Sequence, residues 1–232
     1  MRTLGLIGGT SWVSTVDYYR LINQQINEAL GGLNSAKILM YSMNYEEFKP
    51  PTDPDKWGPL ADTLSGIALR LEKAGADCIM LCANTPHMAA DIVRQRIGVP
   101  LLHIADATAA GIKHQGLHRV GLLGTRITME QGFFKDRLLQ QGINTLIPEA
   151  GDREYLHKTI FNELGRGLFL PEIKERYLDI IRGLAAKGAE GIIFGCTEIP
   201  LLIKPGECPV PVFDTMLLHT RAAVAFALQD SH

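Results

Sequence analysis

The chain has 232 residues, 46% hydrophobic and 21% charged, with a formal net charge of -2. That is an ordinary globular composition, and a chain of this length buries about 70% of its unfolded surface without staples. No lysine–arginine run and no apolar stretch near the ~18–20 residues of a membrane span occurs, which argues against a nucleic-acid binder, a membrane-surface protein or a membrane-spanning one.

The first residues, Met1 to Gly9, run straight into a strand pattern and do not read as a signal peptide. The expected compartment is the cytoplasm, where Cys78, Cys82, Cys196 and Cys208 are reduced. Their spacing matches neither a zinc framework nor a Cys-x-x-Cys redox motif.

In chain order, Thr3–Gly8 reads as a buried strand ending in glycines. Tyr18, Leu21, Ile22, Ile26 and Leu30 carry helical spacing over Ser14–Leu30, stopped by Gly31-Gly32. Ala36–Met43 reads as a strand. Glu46–Trp57, with Pro50, Pro51 and Pro54, reads as largely loop, either a mobile lid or an ordered surface loop. Leu60–Ala74 is helical up to Gly75, Asp77–Cys82 is a strand, His87–Arg96 a helix and Val99–Ile104 a strand. Strands alternating with helices predict an α/β fold with parallel sheets flanked by helices.

The second half repeats the first. Val120–Thr125 resembles Leu4–Gly9, Gly188–Ile193 resembles Gly75–Met80, and Val210–Asp214 resembles Val99–His103. Cys82 and Cys196 stand 114 positions apart (196 − 82), close to the spacing of the other landmarks. The expectation is two similar α/β lobes. Ligands of such sheets sit outside the carboxyl ends of the strands. Gly8-Gly9-Thr10-Ser11, Cys82, Gly124-Thr125 and Cys196 all fall there, so two facing lobes would set two thiols on opposite sides of one cleft.

A thiol has a reference pKa of about 8.5, and a helix N-terminus lowers it by favouring the anion. Pro86 and Pro200 suit the first turn of a helix directly after each cysteine. Two thiols flanking one carbon can remove a proton from one face and return one to the other, inverting the centre without an organic cofactor. Backbone N–H groups with Asn84, Thr85 and Thr197 are suitable donors for the negative charge that develops. A single cysteine at a strand end reads as packing; the matched pair carries the chemistry. Cys78 reads as core and Cys208 as loop.

At these residues the chain resembles the aspartate/glutamate racemase superfamily, in its aspartate racemase branch of cofactor-independent amino-acid racemases. The resemblance rests on Gly8–Trp12 with Tyr18-Tyr19, Cys82–His87, Gly124–Met129 and Gly195–Glu198. It implies two Rossmann-like lobes related by a pseudo-twofold axis, 1–104 and 105–211, with segment 212–232 packing on the first. It implies Cys82 and Cys196 as the catalytic acid/base pair, an amino-acid substrate, no cofactor, no metal and a homodimer. Substrate binding carries over to Asn84, Thr85 and Thr197, and by position to Thr10 and Ser11. Thr125, Thr128 and Glu198 complete the set, with His87 as support for Cys82 or a local cap.

Dicarboxylate-specific members hold the side-chain carboxylate with cations. Here loop 45–57 offers Lys49 and Lys56 but no arginine, and Arg166 matches a second cation only loosely. The implied substrate is therefore aspartate/glutamate-type or broader. Two alternatives stand: a two-cysteine isomerase like the maleate isomerases and hydantoin racemases, and a ligand-binding protein with inert cysteines. His114 and His118 read as a surface turn around Gly116, and the Trp12, Tyr18, Tyr19 cluster reads as packing. No dinucleotide fingerprint or Walker A motif occurs.

Overall fold

The structure, a computed structural model, describes residues 1–48, 50, 51, 53 and 56–229. Lys49, Thr52, Pro54 and Asp55 of the expected loop or lid lie outside the described residues.

The chain divides into two compact units, one of residues 1–104 with the segment from Met216 onward, the other Ala105–Thr215. The first contains strands β1 (Leu4–Gly8), β2 (Ile38–Ser42), β3 (Cys78–Leu81) and β4 (Leu101–Leu102), with helices α1 (Trp12–Leu30), α2 (Tyr45–Phe48), α3 (Gly58–Lys73) and α4 (Ala90–Arg94). Helix α5 (Ile104–His114) leads into the second, with strands β5 (Arg119–Gly124), β6 (Asn144–Leu146), β7 (Gly191–Gly195) and β8 (Val212–Asp214). Its helices are α6 (Arg126–Glu130), α7 (Gly132–Gln140), α8 (Ala150–Asn162), α9 (Pro171–Ala186) and α10 (Ile199–Leu202). Helix α11 (Thr215–Leu228) closes the chain.

Both sheets are parallel, and both have the same strand order: β2-β1-β3-β4 and β6-β5-β7-β8. The three strand pairs matched in sequence, β1 with β5, β3 with β7 and β4 with β8, occupy equivalent sheet positions. The central strands β1, β3 and β7 are buried along their whole length. That is why they read as continuous apolar runs rather than alternating ones. Helices α3 and α9 each begin with proline in the first turn and are followed by a left-handed glycine, Gly75 (φ 99°) and Gly188 (φ 91°), which turns the chain into β3 and β7.

After β2, Tyr45–Phe48 forms one helical turn with Phe48 buried. Two expectations need correction. The helix expected at 87–96 is a five-residue 3-10 turn, Thr85–Ala89, followed by α4. Its tight turn starts at Thr85, where Pro86 fits the opening of the element. In the aromatic cluster only Tyr18 packs inside; Trp12 is 72% and Tyr19 53% exposed.

Strand β8 pairs with β7, and the helix after it contributes Met216, Ala223, Val224 and Ala227 to the core of the first unit, beside Leu4, Leu6, Tyr18, Ile22, Cys78 and Cys82. His219 on this helix is fully buried. Its Nδ1 accepts from the Tyr18 hydroxyl at 2.9 Å and its Nε2 donates to the Leu102 carbonyl at 2.8 Å. Burial, opposed by the Leu102 bond, pulls its pKa from 6.5 down to about 4. The unfolded chain thus takes up this proton first. Stability is full above pH 6.5 and falls by roughly 3 kcal/mol as pH drops to about 4. Urea midpoints at pH 7 and 4.5 will differ less in His219→Gln than in the native chain.

Candidate active site

In the first unit the site residues gather at the carboxyl ends of the neighbouring strands β1 and β3. Gly9 (φ 89°) turns the chain out of β1, and its N–H donates to Thr15 Oγ1 at 2.9 Å. Thr15 in turn donates to the Ser11 carbonyl at 2.8 Å. Ser11 caps α1, its hydroxyl accepting from the Ser14 N–H. The Thr10 hydroxyl is buried and has no hydrogen-bond partner among the described residues. An orphaned polar atom of this kind calls for a partner.

Cys82 follows β3 directly, its N–H bonded to the Ile7 carbonyl at 2.9 Å. It is 1% exposed and belongs to the apolar core. Asn84 is buried at the start of the 3-10 turn, and its side chain makes no cap bond. Thr85 is half-buried beside it. His87 is buried; its Nδ1 donates to the Ala83 carbonyl at 2.8 Å and its Nε2 accepts from the Ile104 N–H at 3.2 Å. It therefore ties the residue after Cys82 to the start of α5.

In the second unit the matching strand ends are β5 and β7. Thr125 caps α6, its hydroxyl lying 3.1 Å from that of Thr128, which is wholly buried. A Cβ on Gly195 would stand 2.8 Å from the Leu123 carbonyl oxygen and 3.1 Å from the Thr128 side chain, so the two strand ends and α6 meet closely. Cys196 is 8% exposed, and its thiol donates to Glu198 Oε2 at 2.9 Å. Thr197 donates to the same oxygen at 2.8 Å. Glu198 begins α10 without capping it. Its carboxylate turns to the thiol instead.

Both cysteines depart from the expected electrostatics. Burial pushes the Cys82 thiol well above its ordinary pKa. Burial likewise raises Cys196, helped by the Glu198 charge and opposed by the Thr197 and Glu198 backbone N–H groups. The elements after the cysteines have only five and four residues, too short for a dipole that outweighs desolvation. Both thiols rest protonated at neutral pH. Cys78 behaves as core, fully buried and pushed up to about 12, chiefly by burial. Cys208 follows a 3-10 turn and is half-buried.

Sequence patterns did not single out His103, His219 or Tyr177. His103 and His219 surround His87, with ring centroids 4.5 Å and 5.6 Å from it. Tyr177 is buried with its hydroxyl 2.8 Å from Thr159 Oγ1, close enough to Cys196 for the two to interact electrostatically. No local pattern signals His219, whose helix also carries Thr215, Thr220 and Arg221. Arg166 lies in an exposed turn and Lys56 pairs with Asp53 at 3.5 Å. Among the described residues no cluster of three His, Cys, Asp or Glu side chains is placed to hold a metal ion, and no helix is long and apolar enough to cross a membrane.

A family model described as Asp/Glu/Hydantoin racemase matches residues 7–223. The chain is 24% identical to the broad specificity amino-acid racemase RacX of Bacillus subtilis, over 96% of each chain. The structure resembles that of a candidate Asp/Glu racemase from Yersinia pestis, with TM-score 0.94, 48% identity and coverage of 99% of this chain and 100% of that one. It also resembles an aspartate racemase homologue from Pyrococcus horikoshii, with TM-score 0.86, 36% identity and coverage of 98% and 99%. The repeated parallel sheet, the strand-end thiols and the match across nearly the whole chain lead to one assignment: this protein belongs to the Asp/Glu/Hydantoin racemase family of isomerases.

Proposed function

We propose that the chain racemises free amino acids without an organic cofactor or metal, using Cys82 and Cys196 as the two proton-transfer groups. The observation that carries this reading is the equivalence of the two cysteines. Each directly follows the third strand in the order of its own four-stranded sheet. The thiolate of one removes the α-proton and becomes a thiol. The other thiol gives its proton to the opposite face and becomes the thiolate. The electron pair released from the C–H bond spreads into the substrate carboxylate and returns in the new bond. Thr10, Ser11, Asn84, Thr85 and Thr197, with Thr125 and Thr128 shaping the second strand end, are the proposed substrate-holding set. The orphaned Thr10 hydroxyl supports its part.

Because both thiols rest protonated, one must first lose its proton. Glu198 is the acceptor already in hydrogen-bond reach of Cys196. Glu198→Gln should lower turnover about a hundredfold. The Cys196 pKa should meanwhile fall, because the carboxylate charge that opposes thiolate formation is gone. Iodoacetamide labelling of Cys196 at pH 8 then becomes faster while racemisation becomes slower. Slower labelling, or unchanged turnover, removes Glu198 from this role.

The substrate is an amino acid of aspartate/glutamate type or of broader range, acted on in the cytoplasm by a homodimer. L- and D-amino acids incubated in deuterated buffer test the whole reading. Deuterium should enter the α-position as optical rotation decays. Chemistry without α-exchange at an amino acid would favour a hydantoin- or maleate-type isomerisation instead.

A further inference from the structure

We propose that His219, on α11, is a positioning residue for Cys82 that acts through His87, an inference that rests on the catalytic reading of Cys82 given above. The Ala83 carbonyl held by His87 Nδ1 belongs to the residue directly after Cys82. The direction of that peptide helps to fix where the Cys82 side chain points. His87 itself packs against two rings, His103 at 4.5 Å and His219 at 5.6 Å, both edge-on. His219 is locked in turn at both nitrogens, by the Tyr18 hydroxyl and the Leu102 carbonyl. Its hydrogen bonds fix one neutral tautomer, with the proton on Nε2. His87 is fixed in the other, with the proton on Nδ1, because Nε2 accepts from Ile104. Three buried rings thus brace the turn that carries the thiol. The titratable groups packed against His219 include Tyr18 from α1 and His87 from the 3-10 turn, and His103 packs against His87. Cys78 of β3 and Cys82 directly after it belong to the core that Tyr18 and α11 help build.

Two variants separate this role from mere packing. His219→Phe keeps a ring and loses both hydrogen bonds. Tyr18→Phe removes the donor to Nδ1 and keeps both rings. Iodoacetamide labelling followed by mass spectrometry reads the two cysteines independently of any activity. In His219→Phe, Cys82 labelling should accelerate at least about fivefold, with Cys196 unchanged, because a buried thiol reacts only through local opening. With amino-acid substrate, kcat should fall at least about tenfold and KM stay within about twofold, as expected for a misplaced base. Tyr18→Phe should move the acid limb of kcat to higher pH, because Nδ1 without its donor protonates more easily.

Unchanged Cys82 labelling and kcat in folded His219→Phe would overturn the proposal. If that variant does not fold, Tyr18→Phe decides alone, and an unmoved acid limb with unmoved Cys82 labelling overturns it. Should the native chain racemise no amino acid, the catalytic reading fails while the labelling comparison still decides the bracing role.

Discussion

Cys82→Ala and Cys196→Ala will each lower racemisation by at least about a thousandfold, the scale of losing a positioned proton-transfer group for a weakly acidic C–H. The two losses differ in kind from a binding defect, because each variant keeps the other thiol. A base on one face still reaches the α-proton of one enantiomer only. Each variant should therefore wash deuterium into one enantiomer without inverting it, and the two variants should choose opposite enantiomers. Proton NMR in deuterated buffer reads this directly for both enantiomers. Substantial racemisation in either variant would end the two-cysteine mechanism, while leaving membership of the family untouched. Serine at the same positions should restore little, since a hydroxyl ionises far less readily than a thiol.

The second large effect is on the backbone beneath the site. Gly9→Ala should cost roughly 2–5 kcal/mol, adding ~1–2 for a side chain in the left-handed region to ~1–3 for overpacking. A Cβ at Gly9 would fall 2.0 Å from the Met43 carbonyl oxygen and 2.4 Å from its nitrogen. That neighbour is rigid backbone, since Met43 also donates its N–H to the Gly8 carbonyl. The ends of β1 and β2 must part, and Thr10 and Ser11 move with them. The melting temperature should drop by about 4–20 °C, at ~2–4 °C per kcal/mol for a chain of this size. Gly66→Ala is the control: it lies inside α3 with nothing within 4 Å of the added carbon. It should be neutral or stabilising by up to about 1 kcal/mol. Equal effects at the two glycines would refute the steric argument.

What could be read from sequence follows from the range of the forces involved. The strands β1, β3, β5 and β7 were legible because burial on both faces demands an unbroken apolar run, and the glycines after α3 and α9 because helix ends need a local device. The duplication was legible because equivalent positions in two sheets make the same demands. Cys82 and Cys196 were found by that symmetry. Their ionisation was not, because it depends on how deeply the fold buries them, and the short elements after them look like longer helices in one dimension. The pairing of Glu198 with Cys196 lay two residues apart in plain sight, but only the side-chain direction separates it from a helix cap. His219 was out of reach of any local pattern. Its partner Tyr18 is 201 positions away.

The crossing of the chain at Thr215 has a consequence for biosynthesis. The second unit is one continuous stretch, Ala105–Thr215, whereas the first needs the segment from Met216 onward. The Arg2 N–H is bonded to the Ala227 carbonyl, tying the segment before β1 to α11. On the ribosome the first hundred residues therefore emerge with one side of their core uncovered, exposing Leu4, Leu6, Tyr18 and Cys82. They stay so until α11 has been made. The part synthesised later is the part able to complete its own core first, reversing the usual N-to-C order of domain folding. A nascent chain halted before residue 216 would present a finished second unit and a first unit suited to chaperone capture.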